Sequence, residues 1–151
     1  IQHIQPVEDH TIIDGRKAAD TLEELRQYQP MNRQTHASHA SILCRPDFNI
    51  LSISEDVGRH NALDKAIGRL FRKHHLDQAR ILFLSSRTSY ELVQKAGRAK
   101  IPIVLSVSRP TSLAVNLAKN LNITVACLGR PQGLMVFCGD QRIRMSMPGA
   151  G

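Results

Sequence analysis

From residue 80 onward, short apolar segments alternate with amphipathic segments of helical periodicity. The predicted strands are residues 80–85, 103–107, 123–128 and 134–138, and the predicted helices between them are residues 89–99 and 112–120. Strands that alternate with helices are joined by right-handed crossovers and form a largely parallel sheet with helices on both faces. This half of the chain therefore predicts a three-layer α/β/α fold around a mixed, mostly parallel sheet.

The first half of the chain adds two helices and a hairpin. A predicted helix over residues 17–28 places Ala18, Leu22 and Leu25 on one stripe. A second predicted helix has six apolar residues at helical spacing, beginning at Ala62, and ends near residue 74. Strands at 37–44 and 49–54 flank Pro46-Asp47, a pair typical of a turn. We expect a partial N-terminal or linker region with a helix (1–30), an α/β domain (31–145) and a tail (146–151).

Charge and composition narrow the class of partner. The net charge of +7 favours an anionic partner, and 151 residues suffice for one domain with a buried core. With no Trp, four Phe and two Tyr, a base-stacking platform is hard to build, which disfavours nucleic acid. The apolar runs are too short to span a bilayer, and residues 1–10 do not resemble a signal peptide. Because the chain does not begin with Met, we expect further residues upstream.

The cysteines and histidines predict neither a disulfide scaffold nor a metal site. Cys44, Cys127 and Cys138 are odd in number and widely spaced, which is typical of a reducing cytoplasm, and no C-x-x-C pair suggests zinc. We expect Cys127 and Cys138 to be inert core thiols and Cys44, at a strand end, to be the most exposed. His36 and His39 are expected on opposite sides of a strand, so no shared metal is predicted.

Three loops carry the candidate site. They span residues 54–61, 85–89 and 106–112, and each contains one arginine: Arg59, Arg87 and Arg109. In an open α/β sheet, ligands bind beyond the carboxyl ends of the strands, and helix N-termini favour anions there. The sequence therefore predicts a phosphate-binding edge.

The same loops also have purely structural interpretations. Thr88 with Glu91 fits a capping box, Asn61 could cap its own helix, and Asp56 with its charged neighbours could form a surface ion-pair cluster. We expect Gly58 to allow a tight backbone path that a side chain would obstruct. Asp56 would then accept from loop N–H groups or from Arg59, which leaves His60 and Asn61 to face the cleft.

Several motifs together resemble one family. Residues 55–68, EDVGRHNALDKAIG, closely resemble the signature of the formate dehydrogenase accessory sulfurtransferases, and residues 89–96, SYELVQKA, and 110–115, PTSLAV, follow in the expected order. Residues 35–37 resemble part of the family's Thr-Gly-Gly-x-His-Ala-Ala stretch, and the similarity covers residues 29–139. The resemblance implies a fold similar to that of cytidine deaminases, and a homodimer.

The resemblance also implies a function. Such proteins carry persulfide sulfur from a cysteine desulfurase to the bis-molybdopterin guanine dinucleotide cofactor that formate dehydrogenase requires, and they bind its guanine nucleotide ends, for which GDP is an analogue. Residues 128–133 match the position of a family binding stretch but depart from its Phe-x-Arg-Gly pattern. The predicted cofactor-binding residues are Leu128, Gly129, Arg130, Pro131, Gln132, Gly133, Arg59, His60, Asn61, Arg87, Arg109, Thr111 and Ser112.

Two departures from the family bear on catalysis. The family's catalytic C-x-x-C lies upstream of the His-Ala-Ala stretch, whereas this chain has no cysteine before Cys44, and residues 32–34 read Asn-Arg-Gln in place of Thr-Gly-Gly. The sulfur-bearing residue is therefore expected upstream or is lost, and no catalytic residue is assigned. The chain lacks the H-x-E and P-C-x-x-C motifs of zinc deaminases, which excludes deamination.

Three hypotheses stay open at this point. The first is a sulfurtransferase accessory protein, and the second is a non-enzymatic guanine-nucleotide or molybdenum-cofactor chaperone that has lost sulfur transfer. A C-x-x-C upstream of residue 1 would separate these two. The third is a basic RNA-binding domain, which salt-dependent RNA binding without guanine preference would support.

Overall fold

The computed structural model describes residues 3–27, 39–129 and 132–145. The helices are α1 (Gly15–Gln27), α2 (Arg59–Arg72), α3 (Tyr90–Arg98) and α4 (Ser112–Asn120). The strands are β1 (Ile13–Asp14), β2 (His39–Cys44), β3 (Ile50–Asp56), β4 (Ile81–Leu84), β5 (Ile103–Ser106), β6 (Thr124–Leu128), β7 (Leu134–Cys138) and β8 (Ile143–Arg144). The predicted helix end at Tyr28 and strand start at Ala37 lie outside the described residues.

Six strands form the main sheet in the order β3-β2-β4-β5-β6-β7. The β4/β5 and β5/β6 pairs are parallel, whereas β2 pairs antiparallel with β3 and β4, and β7 pairs antiparallel with β6. Strands β3, β4, β5 and β6 consequently run in one direction, and β2 and β7 run in the other. The predicted mixed, mostly parallel sheet is confirmed, and the likeness to cytidine deaminases stays a prediction.

Two apolar layers cover the sheet, as in a three-layer α/β/α fold. Leu63 of α2 and Leu92 of α3 pack on one face with Leu82. Leu22 of α1 packs on the other face with Phe83. Strand β4 is buried on both faces, which explains its unbroken apolar sequence. None of the helices in the described ranges has the length and apolar character needed to cross a membrane.

The turn between β2 and β3 is the predicted hairpin at Pro46-Asp47. The Arg45 N–H donates to the Asn49 carbonyl across 2.9 Å, and the Asp47 carboxylate accepts from the Asn49 N–H at 3.0 Å. The hairpin places β3 at the edge of the sheet. There the Arg69 guanidinium donates to the Ile53 carbonyl, so α2 satisfies part of the exposed strand edge.

The edge of the sheet at which β3, β4, β5 and β6 begin, called here the amino edge, has features that the sequence did not reveal. Strands β1 and β8 form a separate two-stranded parallel ladder there. The Arg142 side chain, 1% exposed, donates to the carbonyls of Asp9 and Asn122 and to the Thr124 hydroxyl. This buried arginine ties the N-terminal segment to the sheet.

Candidate functional site

The opposite, carboxyl edge gathers the predicted loops. Because β3, β4, β5 and β6 end there, the segments that follow them meet along one line, and the antiparallel β2 and β7 begin there at His39 and Leu134. The three arginine-bearing loops therefore share an edge with the turn between β6 and β7. This placement is where α/β proteins bind ligands.

Hydrogen bonds between the loops hold this edge in place. Ala40 of β2 and Ser85, after β4, exchange two bonds: the Ala40 N–H donates to Ser85 Oγ at 2.8 Å, and the Ser85 N–H donates to the Ala40 carbonyl at 3.1 Å. The Thr111 N–H donates to the Thr88 carbonyl at 3.0 Å and so joins the next two loops. The edge is framed by the fold itself and does not need a ligand to be positioned.

A cleft opens at this edge on the α1 face of the sheet. Its volume is about 510 Å³, within the usual range of small-molecule sites. It is lined by Glu23 and Arg26 of α1, by Val107, Ser108 and Arg109 after β5, and by Leu128 and Gly129 after β6. We call it the α1 cleft. Of the predicted cofactor-binding residues, it brings together Arg109, Leu128 and Gly129.

The two arginines of the α1 cleft have different partners. Arg26 pairs with Glu23 of the same helix. Arg109 Nη2 lies 3.3 Å from the Met135 sulfur, and the guanidinium carbon lies 5.9 Å from the centroid of the Phe137 ring. No carboxylate within the described ranges pairs with Arg109. Its charge is therefore available to an anion that enters the cleft.

The turn after β6 depends on glycine. The Gly129 N–H donates to the Gly133 carbonyl at 2.7 Å, and a Cβ at Gly129 would lie 3.1 Å from the Gln132 carbonyl oxygen. Gly133 has a φ of +84°, which glycine adopts without strain. Arg130 and Pro131, also predicted to bind the cofactor, lie outside the described residues. The tight turn brings backbone close to the α1 cleft with little side-chain bulk.

The first turn of α2 corrects two predictions. Gly58 is the N-cap with φ −102° and ψ 123°, an extended conformation open to any residue, and a Cβ there would meet the end of the Asn61 side chain at 3.3 Å. The prediction that a side chain would obstruct this path is therefore wrong. Asn61 also does not cap the helix, since it lies inside the first turn and its amide contacts Asp56.

Asp56 has the structural role that was predicted, with one change of partner. Its carboxylate accepts from the Gly58 N–H at 3.0 Å and pairs with Lys65 rather than with Arg59. The Gly58 hydrogen bond, followed by Lys65, lowers the pKa of Asp56 below its ordinary value. The carboxylate thus complements the N-terminal end of α2.

The other two loops each supply a residue that caps the N-terminus of the following helix, α3 or α4. Ser89, not Thr88, caps α3 by accepting from the Leu92 N–H at 3.3 Å, so the predicted capping box is wrong by one residue. Thr111 caps α4 by accepting from the Ala114 N–H at 3.1 Å. Arg87 and Ser112 are exposed on the same edge. A binding role for these residues stays a prediction.

A second group of polar side chains lies under the first turn of α2, on the other face of the sheet from the α1 cleft. We call it the α2 cluster, and it consists of His39, Ser41, Ser54, Arg59 and His60. Ser41 lies opposite Ser54, and His39 lies opposite Asp56 two residues nearer the carboxyl edge. Ser41 faces α2, because Leu43, two residues along the same strand, belongs to the core on that side.

The α2 cluster is rich in buried polar atoms without a partner. Within the described ranges, Ser41 Oγ, Ser54 Oγ, Arg59 Nε and His60 Nε2 are buried and accept or donate no hydrogen bond. Burial, and then the nearby charge of Arg59, lowers the pKa of His39 below its ordinary value. Sequence reasoning missed His39, Ser41 and Ser54. Serines at inward positions of β2 and β3 were the available signal.

The three thiols are not poised for chemistry. Cys44 is 1% exposed, and burial raises its pKa to about 12. Burial also raises the pKa of Cys127 and Cys138. The prediction that Cys44 is exposed is wrong because its strand lies inside the sheet, whereas Cys127 is the buried core thiol that was predicted. Since the thiolate is the reactive form of cysteine, burial disfavours the reactive form of all three.

Fold and edge together define the class. The chain is a three-layer α/β protein whose three arginine-bearing loops meet at the carboxyl edge of a mixed sheet. No group of three or more potential metal ligands within the described ranges is arranged to hold a metal ion.

Comparison with known proteins identifies the family. The model of the FdhD/NarQ family matches residues 1–144. The sulfur carrier protein FdhD of Xanthomonas euvesicatoria is 37% identical over 135 residues, which is 89% of this chain and 48% of that protein. The protein of the same name from Streptomyces coelicolor is 39% identical over 128 residues, which is 84% of this chain and 45% of that protein. The chain belongs to the FdhD/NarQ family.

A solved structure supports the fold. A crystal structure of a protein described as a formate dehydrogenase accessory protein from Desulfotalea psychrophila superposes with a TM-score of 0.80 at 29% identity. The match covers 95% of this chain and 61% of that chain. This chain spans about half the length of the curated relatives it matches.

Proposed function

We propose that the chain takes part in formate dehydrogenase maturation by binding a guanine nucleotide end of the bis-molybdopterin guanine dinucleotide cofactor in the α1 cleft. The observation that carries this proposal is the Arg109 guanidinium, which pairs with no carboxylate within the described ranges and lies in a cleft of about 510 Å³ at the carboxyl edge. A diphosphate is the part of such a ligand that an arginine and exposed backbone bind best.

The residues of the α1 cleft fit a nucleotide in charge and shape. Arg109 offers planar donors to a phosphate, and Arg26 can exchange its exposed pair with Glu23 for a phosphate oxygen. The backbone after β6 approaches closely because Gly129 and Gly133 carry no side chains. Arg130, Pro131 and Gln132 complete the predicted stretch. In this proposal Arg87, Thr111 and Ser112 border the site from the neighbouring loops.

The proposal is tested by calorimetry with GDP. We expect Arg109→Gln to weaken GDP binding about tenfold or more, the loss of one charge-assisted hydrogen bond, without changing the melting temperature. Arg98→Gln, at an exposed arginine at the C-terminal end of α3, is the matched control and should bind GDP normally. Equal GDP affinity in the wild type and in Arg109→Gln would exclude the α1 cleft.

Sulfur delivery is the second part of the proposal. In a sulfur carrier of this family, persulfide sulfur from a cysteine desulfurase would reach the cofactor for formate dehydrogenase, in the cytoplasm and within a homodimer. The sulfur-bearing thiol must then be supplied from outside the described residues, because burial suppresses the thiolate form of Cys44, Cys127 and Cys138.

The alternative is a guanine-nucleotide or molybdenum-cofactor chaperone without sulfur transfer, which the raised pKa of all three thiols favours. The chain is incubated with a cysteine desulfurase and cysteine, and bound sulfane sulfur is then measured by mass spectrometry. We expect no persulfide on any of the three cysteines. Stoichiometric persulfide that Cys127→Ala or Cys44→Ala removes would contradict both this expectation and the assignment of these thiols to the core.

A further inference from the structure

The α2 cluster has an unusual imbalance between burial and hydrogen bonding. Ser41 and Ser54 are 1% and 4% exposed, yet neither hydroxyl has a partner within the described ranges. A buried polar group without a partner destabilises a protein, and such groups are rare unless a water, an ion or a functional ligand binds them. Two of them lie directly opposite each other on adjacent strands.

The first turn of α2 contributes two further buried polar atoms. Arg59 and Leu63 lie four residues apart on one helix face, and Leu63 is fully buried against the sheet. Arg59 Nε is buried and unpartnered in the described ranges, and its charge acts on His39 at the start of β2. His60 Nε2 is also buried without a partner there. The cluster thus combines one fixed cation with neutral donors from two strands and a helix.

We propose that the α2 cluster binds a small monoanion of thiolate or hydrosulfide chemistry between Arg59 and the hydroxyls of Ser41 and Ser54. This inference rests on the sulfur-handling part of the proposed function and concerns a subsite separate from the α1 cleft. The sulfur anion comes either as free hydrosulfide or on a cysteine persulfide carried into the cluster.

The charges of the cluster favour a monoanion over phosphate. Within the described ranges, Arg59 is the cation of the α2 cluster, and the nearby Lys65 is paired with Asp56. The Asp56 carboxylate already accepts from the Gly58 N–H at the start of α2, where a phosphate would otherwise bind. Inorganic phosphate carries between one and two negative charges near neutral pH, so it would meet this carboxylate at a cost.

The test follows the ring nitrogens of His39 and His60 by NMR in the 151-residue chain. Four anions are titrated at equal ionic strength: sodium hydrosulfide, N-acetylcysteine persulfide, inorganic phosphate and chloride. We expect saturable shifts of both rings with hydrosulfide, with the persulfide, or with both, and these two arms identify the source of the anion. Shifts with phosphate alone, or with no anion, would overturn the proposal.

Variants separate binding from folding. Arg59→Gln should weaken binding of the sulfur anion about tenfold or more, the loss expected from one charged hydrogen bond, and Arg72→Gln at the far end of α2 is the matched control. GDP calorimetry on Arg59→Gln reports on the α1 cleft. Normal GDP binding with lost anion binding supports the two subsites. Anion affinity in Arg59→Gln equal to that of the wild type would contradict the proposal.

Ser41→Ala keeps the proposal testable if Arg59→Gln does not fold. Since the hydroxyl has no partner, its removal should leave the melting temperature unchanged or raise it, while the affinity for the sulfur anion falls severalfold. Ser52→Ala, at an equally unpartnered serine one row further from the carboxyl edge, should have the same effect on stability and none on binding. Identical anion affinity in Ser41→Ala and Ser52→Ala would overturn the proposal.

Discussion

The two edges of the sheet differ in how far their buried polar side chains are hydrogen-bonded. At the amino edge, Arg142 donates to oxygens of Asp9, Asn122 and Thr124, and Thr124 Oγ1 in turn donates to the Gly139 carbonyl at 2.6 Å. At the carboxyl edge, Arg59 Nε and the hydroxyls of Ser41 and Ser54 have no partner within the described ranges. The buried side chains at the amino edge therefore make most of their hydrogen bonds within the fold, although Arg142 Nη2 has no partner, whereas those three atoms at the carboxyl edge make none within the described ranges.

Burial of an arginine does not by itself indicate a ligand-binding site. Arg142 is the more deeply buried of the two arginines, yet its Nε and Nη1 donate to backbone oxygens and to the Thr124 hydroxyl, and only its Nη2 has no partner within the described ranges. Arg59 is less buried, its Nε has no partner within the described ranges, and its charge acts on His39 at the start of β2. Variants at the two edges can therefore test whether their buried polar groups differ in how much they stabilise the fold.

The largest effect is expected at Arg142. Arg142→Met removes the donors of three backbone carbonyls, including that of Pro102, and of the Thr124 hydroxyl, so we expect a loss of about 4 kcal/mol in the free energy of unfolding. Urea denaturation measures this loss, and GDP binding to the folded fraction should be unchanged. A stable Arg142→Met protein would show that the amino edge is not fixed by this network.

Two glycines with positive φ provide the next contrast. Gly139, at φ +72°, adjoins Thr124, whose Cα would lie 2.7 Å from an added Cβ, whereas Gly133, at φ +84°, has open space around it. We expect Gly139→Ala to cost about 3 kcal/mol, from both clash and strain, and Gly133→Ala to cost about 1 kcal/mol from strain alone. Thermal denaturation of both variants checks the order. Equal losses would mean that packing at the two edges is alike.

Two threonines test hydrogen bonding more directly. Thr124 Oγ1 both donates to Gly139 and accepts from Arg142, whereas Thr88, fully buried near the carboxyl edge, has an unpartnered hydroxyl in the described ranges. Thr124→Val should destabilise the protein by about 2 kcal/mol, while Thr88→Val should be neutral or stabilising. Chemical denaturation gives both values, and a destabilised Thr88→Val would reveal a partner for that hydroxyl.

The smallest effect concerns acid stability. Burial alone would raise the pKa of Asp9, but hydrogen bonds from Thr11 and the charges of Arg80 and Arg142 outweigh it and lower the pKa below 3.8. A lowered pKa in the folded state stabilises the protein above the unfolded-state value, and this contribution is lost as pH falls below about 4. Asp9→Asn should therefore flatten the fall in stability between about pH 4 and pH 2. An unchanged slope would show that Asp9 is not linked to acid unfolding.

The sequence alone determined the order and type of the main elements and the placement of three loops at one edge. The periodicity of apolar residues and the positions of turn residues are local signals. The strands from β4 to β7 and the helices between them can therefore be predicted from residues that are neighbours in the chain. The arginine-bearing loops 85–89 and 106–112 share an edge because two parallel strands must end on the same side. Such local signals locate the start of a helix only to within about a residue, so Thr88 was predicted as the α3 cap where the structure has Ser89.

The tertiary structure alone decided which polar residues are satisfied. Ser41 and Ser54 are distant in sequence and become a pair only through the register of the hairpin, and Arg142 meets Asp9 only because β1 and β8 join the ends of the described chain. Whether a buried hydroxyl or guanidinium finds a partner depends on such long-range contacts, which no local pattern records. Hydrogen bonds act over about 3 Å, and that distance is fixed by packing rather than by neighbours along the chain.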